Sequence, residues 1–102
     1  MLQLTNDGIL RSREIIVDLT AWPDYVFEEN YKLMPLSELR EYIVVNNHLP
    51  NIPSEEEMVK EGLNVAESNK LLMEKIEELT LYIIQLNEEV NLLKEQNQKV
   101  NK

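Results

Sequence analysis

The 102-residue chain has no cysteine, which removes both a disulfide framework and thiolate chemistry. It has two glycines, Gly8 and Gly62, and neither lies in a glycine-rich phosphate loop or dinucleotide fingerprint. Basic residues number ten against nineteen acidic ones, for a net charge of −9, and they form no run. A phosphate backbone wants a stripe of Lys and Arg, so no nucleic-acid partner is expected. No apolar run is long enough to span a bilayer, and none is expected to enter one. The N-terminus MLQLTNDGIL lacks the basic-then-apolar pattern of a secretory leader. Aromatic residues make up 6% of the chain and histidine occurs once, which leaves little for a large core or a histidine-rich metal site. What remains is length for one small domain and 43% hydrophobic residues, unevenly placed.

The uneven placement is sharpest in ELTLYIIQL, Glu78 to Leu86. A surface helix should be apolar along one stripe, yet here Leu79, Leu81, Tyr82, Ile83, Ile84 and Leu86 cover nearly the whole circumference. Residues 64–102 read as one long helix. Asn64 with Glu67 three residues later is a capping signature, and no glycine or proline follows. Heptad spacing places Asn69, Ile76, Ile83, Val90 and Asn97 at the first core position. Leu72, Leu79, Leu86, Leu93 and Val100 fall at the fourth. The 3-4 spacing runs without a stutter, so Leu72, Ile76, Leu79, Ile83, Leu86, Val90 and Leu93 are the expected oligomer core. Glu89 before the seam and Lys94 five residues later make an attractive pair between parallel helices. β-branched residues at the first position, Leu at the fourth and a core Asn favour two strands. The apolar flank of Met73, Leu81, Tyr82 and Ile84 argues for three, since a trimer buries flanking positions more. A trimer is the expectation, with a dimer as the alternative.

Residues 1–63 form a head expected to pack on the first half of that helix. The α+β fold expected is a small β-hairpin region and two short helices, followed by the long helix in a parallel coiled coil. Leu2 and Leu4 alternate, Asn6-Asp7-Gly8 signals a tight turn, and ILRSREIIVDL reads as a strand. Its Ile9, Ile15, Val17 and Leu19 share one parity, while Arg11 and Arg13 interrupt the apolar face and point to an edge or to acidic partners. Helical spacing of Leu36, Leu39 and Ile43 after Pro35 gives a first short helix, ended at Asn46-Asn47. Pro50 and Pro53 impose a rigid extended knuckle, and Ser54 with Glu57 starts a second short helix that Gly62 ends.

Candidates for chemistry are few. His48 and Ser54 could be a base and a nucleophile, but no orienting carboxylate or glycine-rich turn accompanies them, and Ser54 reads as a helix cap. Glu55-Glu56-Glu57 point in different directions around a helix and read as a first turn that suits the helix dipole, not a metal site. Trp22, Tyr25, Phe27 and Tyr31 are either the small core or a ligand platform, with the core preferred. No catalysis, cofactor or metal is expected. Glu74, Glu77, Glu78, Glu88 and Glu89 flank the seam with only Lys75 and Lys94 near them, so they read as surplus, mutually repelling carboxylates.

Three segments, GILRSREIIVDLTAWPDYVFEENYKL, HLPNIPSEEEMVKEGLNV and NKLLMEKIEELTLYIIQLNEEV, together resemble a domain at the extreme C-terminus of tail-fibre-like and repetitive surface proteins of Bacteroidetes and their phages. The resemblance covers nearly the whole chain. It implies a terminal module on a homotrimeric fibre, with more of the fibre preceding Met1, and a location on a virion tail fibre or cell surface. In placement it is similar to the endosialidase-type intramolecular chaperones, which trimerise at a fibre end and cleave themselves with a Ser/Lys pair. The nearest match to their Ser-Asp-x-Arg-type motif here, Arg11-Ser12-Arg13-Glu14, lacks the Asp and the Lys. The resemblance therefore implies trimerisation and chaperone-like folding without self-cleavage.

Overall fold

A computed structural model of the chain describes residues 3–100, with side chains through Gln98. In order it holds strands β1 (Gln3–Leu4) and β2 (Leu10–Arg11), a 3-10 turn (Pro23–Phe27), and helices α1 (Leu36–Asn46), α2 (Glu55–Glu61) and α3 (Val65–Val100). The molecule measures 72 × 31 × 27 Å, with a radius of gyration of 20.1 Å. A compact 100-residue domain has a radius near ~13 Å, so this is a rod with a small head. The 36 residues of α3 account for the length, at roughly 54 Å.

The capping residues act as their chemistry dictates. Asn64 Oδ1 accepts from the Glu67 amide at 3.0 Å and opens α3. Ser54 Oγ accepts from the Glu57 amide at 3.3 Å and opens α2. Gly62, at φ 83°, closes α2, with its N–H on the Met58 carbonyl. Asn47 closes α1 in the left-handed conformation, where a short polar side chain is tolerated. Pro35 stands just outside α1, at the cap. The knuckle holds a second left-handed residue, Asn51 at φ 65°, between its two prolines.

The hairpin is shorter than the sequence pattern suggests. β1 and β2 pair antiparallel, Gln3 with Arg11 and Leu4 with Leu10, around a turn whose Gly8 takes φ 82°. Leu2 lies outside the described residues. No strand forms over Ile15–Leu19, which corrects the expectation of a long second strand. A strand's amides and carbonyls need a neighbouring strand, and within one chain this segment has none. Ile15, Ile16, Val17 and Leu19 are left exposed. Arg11 and Arg13 join no ion pair among the described residues.

The core is correspondingly small. Val26 at 1% exposure and Pro23, both from the 3-10 turn, are the most buried side chains, and Tyr82 of α3 is 7% exposed. Of the aromatics expected in the core, Trp22, Tyr25 and Phe27 stand exposed, and Tyr31 is half-buried. Pro23 and Val26 take the inward face of the turn, which sets the neighbouring aromatics outward.

Candidate functional site, the two faces of the long helix

Successive residues of an α-helix are turned by roughly 100°. On that wheel Leu72, Ile76, Leu79, Ile83, Leu86, Val90 and Leu93 share one arc of about 100°, while Glu74, Glu77 and Leu81 lie on the far side and Leu71, Glu78 and Tyr82 on one flank. The head occupies the far side and that flank, up to the edge of the seam. The 3-10 turn packs against α3 there, and three tyrosine hydroxyls fasten the joint. Tyr25 donates to Glu74 Oε2 at 2.6 Å and Tyr31 donates to Glu78 Oε2 at 2.5 Å. Tyr82 reaches the other way and donates to the Met34 carbonyl at 2.6 Å. The Tyr25 and Tyr31 rings stack, with centroids 5.8 Å apart, so both hydroxyls present to one side of the helix.

These contacts account for much of ELTLYIIQL. Tyr82 is buried and Leu81 half-buried under the head, and Met73 is half-buried as well. Ile84 is exposed on an outer face, away from the seam. The seven expected core residues are all uncovered, between 47% (Leu86, Val90) and 64% (Ile83) exposed. Among the described residues one chain thus brings the seam residues into a single continuous face and leaves it largely open, with Leu79 and Leu72 bordering clefts against the head. The side chain of Val100 lies outside the described residues. Leu92 is also exposed, but on the arc opposite the seam.

Two of the carboxylates expected to be surplus, Glu74 and Glu78, are engaged. Lys75 lies 2.9 Å from Glu78 and 3.8 Å from Glu74, so each tyrosine-bound carboxylate also meets a cation. Glu74 and Glu77 are buried. The hydrogen bond to Glu74, and then burial, push the Tyr25 hydroxyl up to about 12. Burial first, and then the bond to Glu78, raise Tyr31 further. Burial raises Tyr82, with the Glu78 charge adding to it. Glu77 is raised by burial and then by the nearby Asp24 carboxylate. Nothing in the sequence singled out these partners, because Tyr25 and Tyr31 lie almost fifty residues from their acceptors.

The remaining candidates have structural roles. The Ser54 hydroxyl caps α2. His48 sits just past the end of α1, its Nδ1 2.9 Å from the Leu49 carbonyl and its ring edge-on to Tyr42 at 5.7 Å. Ser12 donates to the Glu14 carbonyl. A cleft of about 160 Å³ runs between the knuckle and α3, lined by Tyr31, Met34, Pro50, Lys75, Leu79 and Tyr82 among others. Small-molecule sites usually reach several hundred Å³, and this cleft is better described as the seam between head and helix. Among the described residues no three His, Asp or Glu side chains are grouped to hold a metal ion. No described helix is long and apolar enough to cross a membrane. The chain matches no protein-family model, no curated protein and no solved structure.

Proposed function

We propose that the chain is a non-enzymatic homotrimerisation module that helps a fibre-like protein fold from its C-terminal end. The observation that carries the reading is the heptad seam, which the docked head leaves largely uncovered. Fully burying an aliphatic side chain stabilises by ~1.5–3 kcal/mol. Each seam residue is already about half covered by its own helix, so sister helices add roughly 1 kcal/mol at each position. Seven positions per chain, repeated in every chain, are enough to drive association. The parallel arrangement rests on the Glu89 and Lys94 pairing across the seam. The preference for three strands rests on the resemblance.

Such a module serves a fibre because extended chains are slow to find register, as loop-closure entropy is lost before distant contacts form. A coiled coil nucleates from local contacts and holds the chains together at an effective concentration of about mM. The fibre upstream then zips from a fixed end. A virion tail fibre or a cell surface of the Bacteroidetes type is the setting that the resemblance suggests. Fusing a short collagen-like sequence to the N-terminus tests the activity. It should form a triple helix at micromolar concentration only when fused, and a fusion that stays single-stranded contradicts the reading. A second reading, a receptor- or glycan-binding fibre tip, is favoured by Trp22 and Phe27, which stand 43% and 54% exposed on the head. Saturable change of Trp22 emission with added glycans separates it from the first.

A further inference from the structure

Glu77 lies in the joint between head and long helix, and its burial is unexplained by the seam. It is 8% exposed, and its Oε2 is shut off from solvent with no hydrogen-bond partner. The group facing it across the joint is another acid, Asp24 of the 3-10 turn, within hydrogen-bonding reach. The charges nearby are committed elsewhere. Glu74 accepts from Tyr25, Glu78 accepts from Tyr31, and Lys75 serves both carboxylates. Lys70, two turns earlier on the same face, is paired with Glu67 at 4.0 Å. Among the described residues no cation answers Glu77 or Asp24. Two ionised carboxylates within hydrogen-bonding reach, one of them desolvated, repel strongly, and a proton on Glu77 removes both costs. A divalent cation could do the same, but it needs six or more oxygen ligands, and no third acidic side chain joins the pair.

We propose that Glu77 is a proton-operated latch, its protonated carboxyl donating to the Asp24 carboxylate, which holds the head on α3 more tightly in mildly acidic than in alkaline solution. Burial and the Asp24 charge raise Glu77 above its ordinary 4.5. The folded joint therefore binds a proton over a pH range in which the unfolded chain has lost it. The stabilisation is fully present below the unfolded value and is lost as pH rises through the folded one. The latch lies on the arc opposite the seam, so it acts on head docking whatever the number of chains.

The test uses the full chain at fixed concentration. Melting by circular dichroism and emission of Trp22, two residues from Asp24, are followed from about pH 8 to about pH 5. The native chain should gain melting temperature by several degrees on acidification, and should do so in molar salt as well, because the buried Glu77 carboxylate is poorly screened. Glu77→Gln should raise the melting temperature at the alkaline end and flatten the pH dependence. Asp24→Asn, at an exposed position that leaves folding intact, should change the slope in the same direction. The proposal is overturned if both variants keep the native slope, or if salt abolishes it. It is also overturned if millimolar calcium at alkaline pH reproduces the acid effect in the native chain but not in the variants.

Discussion

Replacing Ile83 and Leu86 together with Gln separates the seam from the rest of the helix. Gln and Leu have similar helix propensities, so the isolated helix should lose only a few tenths of a kcal/mol. In a single chain both side chains already face solvent, at 64% and 47% exposure, and a monomer should tolerate the change. In a trimer the double substitution removes six buried apolar side chains from one short stretch of core. At the roughly 1 kcal/mol that sister helices add at each position, with about 1 kcal/mol more for burying each Gln amide, the loss is about 12 kcal/mol per assembly. Each 1.4 kcal/mol is tenfold in affinity, so association should weaken by roughly eight orders of magnitude. Light scattering should then report single chains, and circular dichroism should show most of the helicity of α3 lost at micromolar concentration, because an unsupported helix is marginal in water. The control is Leu92→Gln, at 54% exposure as open as the seam but on the opposite arc, which should change neither mass nor melting. An unchanged mass and melting temperature in the double variant, or equal damage from Leu92→Gln, refutes the seam.

The head should respond independently. Tyr31→Phe removes the bond to Glu78 and should loosen head docking by ~1–2 kcal/mol, read as faster amide exchange in the 3-10 turn with the oligomer mass unchanged. A change in mass would show that the two faces are not separate. In alkali, docking should persist past the ordinary tyrosine value of 10.0 and fail as Tyr25 ionises near about 12, since a raised phenol stabilises the fold until pH passes the folded value. Tyrosinate absorbance and Trp22 emission should therefore change together, and loss of docking below the ordinary value counts against the hydroxyl ties. In the knuckle, Asn51→Val forces a β-branched residue to φ 65° and should cost about 1–2 kcal/mol, while Asn51→Gly should be near neutral. His48→Ala should cost less than Asn51→Val, about 0.5–1.5 kcal/mol for the lost edge contact with Tyr42. Urea midpoints rank the three, and a larger loss at His48 would mean that it has a task beyond packing.

The helices were legible because their signals are local. Asn64, Ser54, Gly62 and Asn47 each act on a backbone group within a few residues, and each does in the structure what its side chain implies. The heptad arc is equally local, fixed by helical geometry once α3 forms. What failed needed a partner at long range. Alternation over Ile15–Leu19 describes a strand, but a strand exists only beside another, and this chain supplies none for it. The aromatic cluster was divided by the 3-10 turn, which turns Val26 and Pro23 inward and leaves Trp22 and Phe27 outside. Glu74 and Glu78 read as surplus charge because their tyrosine partners lie on the far side of two helices and a knuckle in sequence. The flank that argued for three strands is mostly covered by the chain's own head, through Leu81, Tyr82 and Met73, which periodicity alone could not assign.

The solution mass of the unmodified chain tests the central claim most directly. Light scattering at micromolar concentration and neutral pH should give three times the 12.0 kDa chain mass, unchanged on tenfold dilution. A value twice the chain mass would keep the seam and remove the third strand. A mass of one chain, with α3 fully helical, would contradict the account, because the seven seam residues would then be stable in water with nothing to cover them.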